Sequence, residues 1–234
     1  MRNKVQCEEC SEDSCLIKYL IGSEYLKAVR NGMTQNVYKK DTHIFKEGDP
    51  IFGIYFIQSG GVKVVTTSLN GREQVVRLAK AGQILGHRGL DSARYYFNAI
   101  ALMDTMVCFI ESKVFNATCL NSAELSYHLM ILFAHELRRA ELRVKYQAQM
   151  NIREKVAEAF LYINEVFGVN PETKLLNISL SRQDIADTAG TTAEQVTRQL
   201  RDFENEKLIA RDKWSIKILD IKGMEKIVED YAIF

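Results

Sequence analysis

The sequence lacks a long apolar run, a secretory leader and an excess of either charge. The 31 basic and 30 acidic side chains leave a net charge of +1, which indicates neither nucleic acid nor membrane as a partner. No stretch approaches the roughly 20 apolar residues that span a bilayer, and the first fifteen residues lack the apolar segment of a signal peptide. With an odd count of 5 cysteines, these absences predict a cytoplasmic protein without a membrane partner or a disulfide framework.

Catalytic patterns are also missing. The sequence has no Ser/His/Asp ordering, no phosphate-binding loop and no paired carboxylates in a Gly-rich setting, so we do not expect an enzyme. None of the four histidines lies three or four residues from another, which argues against a histidine metal site; they are His43, His87, His128 and His135.

Short strands broken by turns fill residues 37–110. Two β-branched runs flank Asn70-Gly71, the strongest short hairpin signal, and two further strands flank Asp104. This succession of short strands and turns predicts an antiparallel sandwich or barrel rather than a parallel sheet.

A long helix is predicted from about Ala123 to Met150, where proline and glycine are both absent. Its apolar positions repeat at alternating spacings of three and four, a heptad-like seam. We expect the seam to pair with a second copy of the chain, the alternative being a core helix packed within one subunit. The seam consists of Met130, Phe133, Leu137, Ala140, Val144 and Gln147.

Two short helices with a tight turn are predicted near residues 181–205. Ser181 is a good N-cap for the first, and Gly190 suits its end. Thr192 then caps the second, with Gln195 three residues on completing a capping box. A hairpin-like segment, RDKWSIKILDI, follows. The order is that of a winged helix-turn-helix.

The second helix of this pair carries side chains suited to reading DNA. Arg198 can pair with guanine, Glu194 can accept from cytosine, and Thr197 can touch a thymine methyl. The side chains placed for phosphates are Arg182, Thr191, Thr192 and Arg201. Residues 152–234 hold 12 basic and 15 acidic side chains, so a helix pair that merely packs remains an alternative.

The segment LSRQDIADTAGTTAEQVTRQLRDFENEKLI resembles the helix-turn-helix signature of the CRP/FNR family of bacterial transcription regulators. FKEGDPIFGIYFIQSGGVKV and AGQILG resemble the β-roll signatures of the same family. The resemblance implies an α+β fold: an N-terminal antiparallel, jelly-roll-like β-roll, a long dimerisation helix and a C-terminal winged helix-turn-helix. We place the cysteine-containing leader at 1–22, the β-roll sensor at 23–120, the dimerisation helix at 121–151 and the DNA-binding domain at 152–234.

By the same resemblance, the protein is a homodimer that binds a palindromic double-stranded operator and contacts RNA polymerase. Glu194 and Arg198 fall on the pair that reads the TGA core of each half-site. Ala193 and Thr197 favour an FNR-type TTGAT half-site over a catabolite-activator site. The rival interpretation is a β-roll signal-binding regulatory protein or enzyme subunit that does not act on DNA.

The effector pocket departs from the family's cyclic-nucleotide pattern. His87 stands where a ribose-binding glutamate belongs, and Tyr95 and Tyr96 stand near the phosphate-binding Arg-Ser pair. Losing these charge-assisted contacts argues against cyclic AMP and leaves the effector unknown. The alternatives are an aromatic-filled roll without ligand and a less charged ligand. Candidate pocket residues are Gly86, His87, Arg88, Arg94, Tyr95 and Tyr96.

Three of the five cysteines, Cys7, Cys10 and Cys15, fall within nine residues of the N-terminal segment. The segment DTMVCFI resembles that in which oxygen-sensing FNR proteins carry a distant cluster cysteine, and it places Cys108 there. The four together resemble the ligands of a [4Fe–4S] cluster. Zinc, a thiol redox switch and a polar leader with no ligand remain alternatives.

Overall fold

The structure is a computed structural model that describes residues 6–212 and 215–231. The chain forms two compact units, each assembled from two separate stretches. One contains the chain up to Thr66 together with Ala79–Leu137, and the other contains Thr67–Leu78 together with the chain from Arg138 onward. The four-part division made from the sequence remains a prediction.

The strands form two antiparallel four-stranded sheets, as the turn-rich sequence predicts. Their order is β1-β8-β3-β6 in one and β2-β7-β4-β5 in the other. The strands are β1 (Met33–Tyr38), β2 (His43–Phe45), β3 (Gly53–Ser59), β4 (Gly61–Thr67), β5 (Glu73–Lys80), β6 (Ile84–Leu85), β7 (Asn98–Ala101) and β8 (Thr105–Glu111). The predicted hairpin joins β4 to β5, and Gly71 within it has a φ of 79°, which a side chain would disfavour.

The core of the N-terminal unit lies under the first sheet. Ile54 and Phe56 of β3 and Ile110 of β8 are buried there with Phe115 of the helix that follows. Burying each such side chain contributes about 1.5–3 kcal/mol. Two elements absent from the sequence prediction help close this core: a 3-10 helix (Leu16–Leu20) and α1 (Tyr25–Asn31).

Two helices follow the sheets, α2 (Ser112–Asn121) and α3 (Ala123–Gln149). Helix α2 is not predicted from the sequence, because its ten residues have little amphipathic pattern. Ser122 separates the two, and its hydroxyl accepts from the Leu125 amide at 3.2 Å. The end of α3 lies where the sequence predicts.

The C-terminal helices match the predicted winged helix-turn-helix. They are α4 (Ile152–Phe167), α5 (Arg182–Ala189) and α6 (Ala193–Asn205), followed by strands β9 (Ile209–Asp212) and β10 (Ser215–Ile218) and by α7 (Ile221–Ile227). Residues 213–214 of the predicted hairpin, 1–5 of the leader and 232–234 lie outside the described residues. The predicted α+β fold class is confirmed. No helix in the described ranges combines the length and apolarity needed to cross a membrane.

Candidate DNA-reading helix and four-cysteine site

The turn between α5 and α6 is built by side-chain caps. The Ser181 hydroxyl accepts from the Asp184 amide at 3.0 Å, and the Asp184 carboxylate accepts from the Ser181 amide at 3.0 Å. Gly190 ends α5 with a φ of 69°, and Thr192 accepts from the Gln195 amide at 3.3 Å to start α6. The sequence therefore sets where the second helix begins.

One predicted detail of this turn is wrong. The Gln195 side chain does not complete a capping box, because its Oε1 accepts the hydroxyl proton of Thr191 instead. The Thr191 hydroxyl, predicted to meet a phosphate, is thus engaged within the turn. Thr197 likewise donates to the Ala193 carbonyl at 2.8 Å, which leaves its methyl group for apolar contact.

Helix α6 separates its buried and exposed faces as predicted. Val196, Leu200 and Phe203 are at most 1% exposed and face the core. Glu194 and Arg198 are exposed on another face. Across the described ranges, neither forms an ion pair within the chain. Both side chains are therefore available to an outside partner. Arg182, Thr192 and Arg201 are also exposed.

Helix α3 presents an apolar stripe that the chain itself leaves exposed. Met130, Leu137 and Val144, seven residues apart, are 57%, 61% and 74% exposed. Phe133 is 36% exposed and lies 5.4 Å from the His87 ring. Ala140 is exposed, whereas the Gln147 side chain lies against Gly190.

All four predicted cysteines line one cavity of about 30 Å³. Cys7, Cys10 and Cys15 approach it from the leader, and Cys108 approaches from β8, where it lies opposite both Gln35 and Phe56. The fifth cysteine, Cys119 on α2, does not line the cavity. The fold thus brings together thiols separated by more than ninety residues of sequence.

Two amides flank the Cys108 sulfur. Gln35 Nε2 donates to Sγ at 3.6 Å, and the thiol donates to Gln58 Oε1 at 3.8 Å. Gln35 and Gln58 line the cavity, as does Lys18, which donates from Nζ to the Cys10 carbonyl at 2.7 Å. No local sequence pattern indicates these neighbours, because they come from β1, β3 and the 3-10 helix.

The four thiols are a fitting donor set for iron–sulfur or zinc chemistry, since each metal is bound by cysteine sulfur. They surround the cavity without meeting at ligand distance: within residues 6–212 and 215–231, no three Cys, His, Asp or Glu side chains are close enough to hold an ion. Burial raises the pKa of Cys15 to about 12 and that of Cys7 above its usual value. Both are therefore protonated thiols at neutral pH, and a metal would displace their protons.

The leader folds onto the N-terminal unit through contacts that the sequence did not reveal. The Ser14 hydroxyl occupies the space that a Cβ on Gly82 would need, and Gly82 has a φ of 85°. Arg30 pairs with Glu8 at 2.9 Å. Both contacts lie beside the three leader cysteines, so they help to hold the thiols in place.

The candidate effector residues differ in exposure and in their partners. Tyr95 is 5% exposed, stacks on Phe45 at 4.0 Å between ring centroids and donates to the Gly53 carbonyl at 2.9 Å. Its ring lies 3.2 Å from a Cβ placed on Gly86, which has a φ of 82°. Tyr96, by contrast, is 56% exposed, and Arg94 is an exposed side chain that donates to the Gly48 carbonyl.

His87 and Arg88 share one carboxylate as a partner. His87 Nε2 lies 2.9 Å and Arg88 Nε 3.1 Å from Glu136 Oε2, which projects from α3. Tyr95 and His87 are both buried, at 5% and 2% exposed. The aromatic-filled roll without ligand and the roll that takes a less charged ligand both remain predictions.

Known proteins share this arrangement of domains. Residues 35–122 match the family model for cyclic nucleotide-binding domains, and residues 154–227 match that for Crp-like helix-turn-helix domains. The FixK2 structure from Bradyrhizobium japonicum superposes with a TM-score of 0.75 at 22% identity, covering 83% of this chain and 96% of that one.

Curated relatives match nearly the whole chain. Electron transport regulator A of Shewanella oneidensis is 24% identical over 97% of this chain and 88% of its own length. The fumarate and nitrate reduction regulatory protein of Vibrio cholerae is 25% identical over 92% of this chain and 87% of its own length. Both relatives are regulators by name, and neither is named as an enzyme. The two family models match successive parts of the chain, and the fold is that of such regulators. The chain therefore belongs to the CRP/FNR family of bacterial transcription regulators.

Proposed function

We propose that the protein is a homodimeric regulator that reads a palindromic operator through α6. The observation that carries this proposal is the exposed face of α6. Glu194 and Arg198 are exposed there, close to the Thr192 N-cap at which the helix begins. Major-groove recognition requires such a helix, with charged side chains near its N-terminal end. A contact with RNA polymerase belongs to the same proposal.

Alanine in place of Arg198 or Glu194 is expected to weaken binding to a duplex with two TTGAT half-sites one helical turn apart. Each change should cost about 1–3 kcal/mol, because each removes a contact to a base edge. Fluorescence anisotropy against base-substituted operators would measure the affinity, and the loss of discrimination should fall at one base pair.

Arg201→Ala is the matched control, since it removes a charge from the same helix at a position suited to a phosphate. It should weaken binding to all sequences alike and lower the salt dependence by about one counterion. Parent-like discrimination in both the Arg198 and Glu194 variants would show that α6 does not read the operator.

We propose further that the four cysteines hold the centre that senses the signal. Their convergence on one cavity supports this, together with the resemblance to FNR-type leaders. An iron–sulfur cluster would supply a centre whose stability depends on oxygen and redox state. Cys7, Cys10, Cys15 and Cys108 would bind it, and Lys18 would place a positive charge beside the anionic site. Zinc is the rival occupant.

Cyclic AMP is expected to leave the melting temperature unchanged. Tyr95 is buried against Phe45, and the carboxylate of Glu136 contacts His87 and Arg88. A ligand at 100 times its dissociation constant would add about 2.7 kcal/mol to the free energy of unfolding, which thermal melts detect readily. Non-cyclic AMP is the control. A rise in melting temperature specific to the cyclic form would contradict this proposal.

A further inference from the structure

Three side chains from outside the helix-turn-helix contact the turn between α5 and α6. Gln74 of β5 donates from Nε2 to the Asp187 carbonyl at 2.7 Å. Arg143 of α3 donates from Nη2 to the Thr188 carbonyl at 2.6 Å. Gln147, one turn further along α3, lies with Oε1 3.0 Å from the place of a Cβ on Gly190. We call Gln74, Arg143 and Gln147 the turn bracket.

The carbonyls that the bracket meets lie in the last turn of α5. The last four carbonyls of an α-helix lack intrahelical donors, and α5 ends at Ala189. Asp187 and Thr188 are 5% and 0% exposed, so water cannot readily replace a lost donor. The positive charge of Arg143 also lies at the negative end of the α5 dipole. The bracket therefore supplies donors that the helix end requires.

The bracket is itself held in place from two sides. The second terminal nitrogen of Arg143 lies 3.4 Å from the Val76 carbonyl of β5, and its guanidinium lies 5.2 Å from the ring centre of Tyr162 on α4. The Tyr162 hydroxyl accepts from the Leu78 amide at 2.8 Å. Arg143 thus links α3, β5, α4 and the end of α5 with a single side chain.

We infer that Arg143 and Gln74 are positioning residues that set the direction in which α6 leaves the turn. They act through the α5 carbonyls and do not touch DNA. Arg143 neighbours Val144 of the apolar stripe, so a rotation of α3 would reach the turn directly as well as through the covalent link at Met150-Asn151. This inference rests on the proposed function, because it assigns these residues to operator reading.

The test compares the parent with Arg143→Ala, Arg143→Lys and Lys145→Ala. Lys145 is an exposed residue two positions after Arg143 on α3. Its replacement removes one positive charge, as Arg143→Ala does, but leaves the contacts with the turn intact. Hydrogen exchange of the amides of residues 189–191 is measured on the DNA-free protein. Operator affinity is measured over duplexes whose half-site spacing changes one base pair at a time.

In Arg143→Ala, the amides of the turn should exchange at least about tenfold faster, because local opening no longer breaks the two hydrogen bonds of Arg143. Affinity should fall about tenfold at the best spacing and little at the others, since a loosely directed helix loses its preference for one geometry. Arg143→Lys should recover part of both effects. Lys145→Ala should keep the parent's exchange and spacing preference.

Gln74→Glu is a second variant, whose side chain has nearly the shape of glutamine but cannot donate to the Asp187 carbonyl. If Arg143→Ala fails to fold, this variant tests the inference in its place. Parent-like exchange and spacing preference in the folded variants would overturn the inference. If the parent bound no palindrome, the proposed function would fail. The exchange measurement would still report separately whether the bracket holds the turn.

Discussion

Replacing Cys108 by alanine is expected to abolish metal binding. Protein purified without oxygen should carry about four irons per chain and a broad visible absorbance if the four cysteines hold a [4Fe–4S] cluster. Cys108 supplies the only one of the four thiols that comes from the sheet, so the alanine variant should lose both signals. Metal analysis and absorbance, before and after brief exposure to air, would measure the effect.

Cys119→Ala is the matched control for this experiment, because it removes a cysteine that does not line the cavity. It should keep the metal content of the parent. A colourless protein with about one zinc per chain would identify zinc as the occupant and leave the four ligands as proposed. A parent without metal, or equal losses from the Cys108 and Cys119 variants, would exclude a metal centre at this cavity.

Leu137→Glu is expected to convert the dimer into monomers and thereby abolish operator binding. Leu137 is the middle residue of the exposed stripe on α3, and a dimer about a two-fold axis would bring the two glutamates close together. The lost apolar burial and the desolvated charge should together cost about 3 kcal/mol or more, at least two orders of magnitude in the dissociation constant. Sedimentation equilibrium would measure the mass.

The control substitution is His135→Glu, which places the same side chain on another face of the same helix turn. This variant should remain dimeric and bind the operator. A dimeric Leu137→Glu protein with parent-like affinity would show that the stripe serves another purpose, and the alternative of a helix packed within one subunit would then regain support.

Much of the fold was predictable because its signals are local. The N-cap at Ser181, the left-handed end at Gly190 and the spacing of Val196, Leu200 and Phe203 lie within about twenty residues of one another. Alternation and turn residues likewise predicted antiparallel strands in a sandwich or barrel, and two four-stranded sheets are observed. Such patterns depend on backbone geometry, which adjacent residues determine.

The details of the sites were less predictable because they depend on residues far apart in sequence. Gln74 meets Asp187 across 113 positions, and nothing near either residue indicates the contact. Gln147 fitted the heptad pattern, yet its side chain lies against Gly190. The folding of Ser14 over Gly82 was hidden for the same reason. A polar side chain can serve many partners, so sequence alone does not select one.

The stretch Thr67–Leu78 makes the C-terminal reading unit discontinuous along the gene. A segment cut at the end of α3 omits these twelve residues. It thereby loses the Leu78 backbone amide that donates to Tyr162 and the Gln74 side chain that donates to the Asp187 carbonyl. Recombination therefore cannot transfer the C-terminal unit as one continuous segment. Exchange of domains between relatives would have to carry the β5 segment along, or acquire matching changes on both sides of the join.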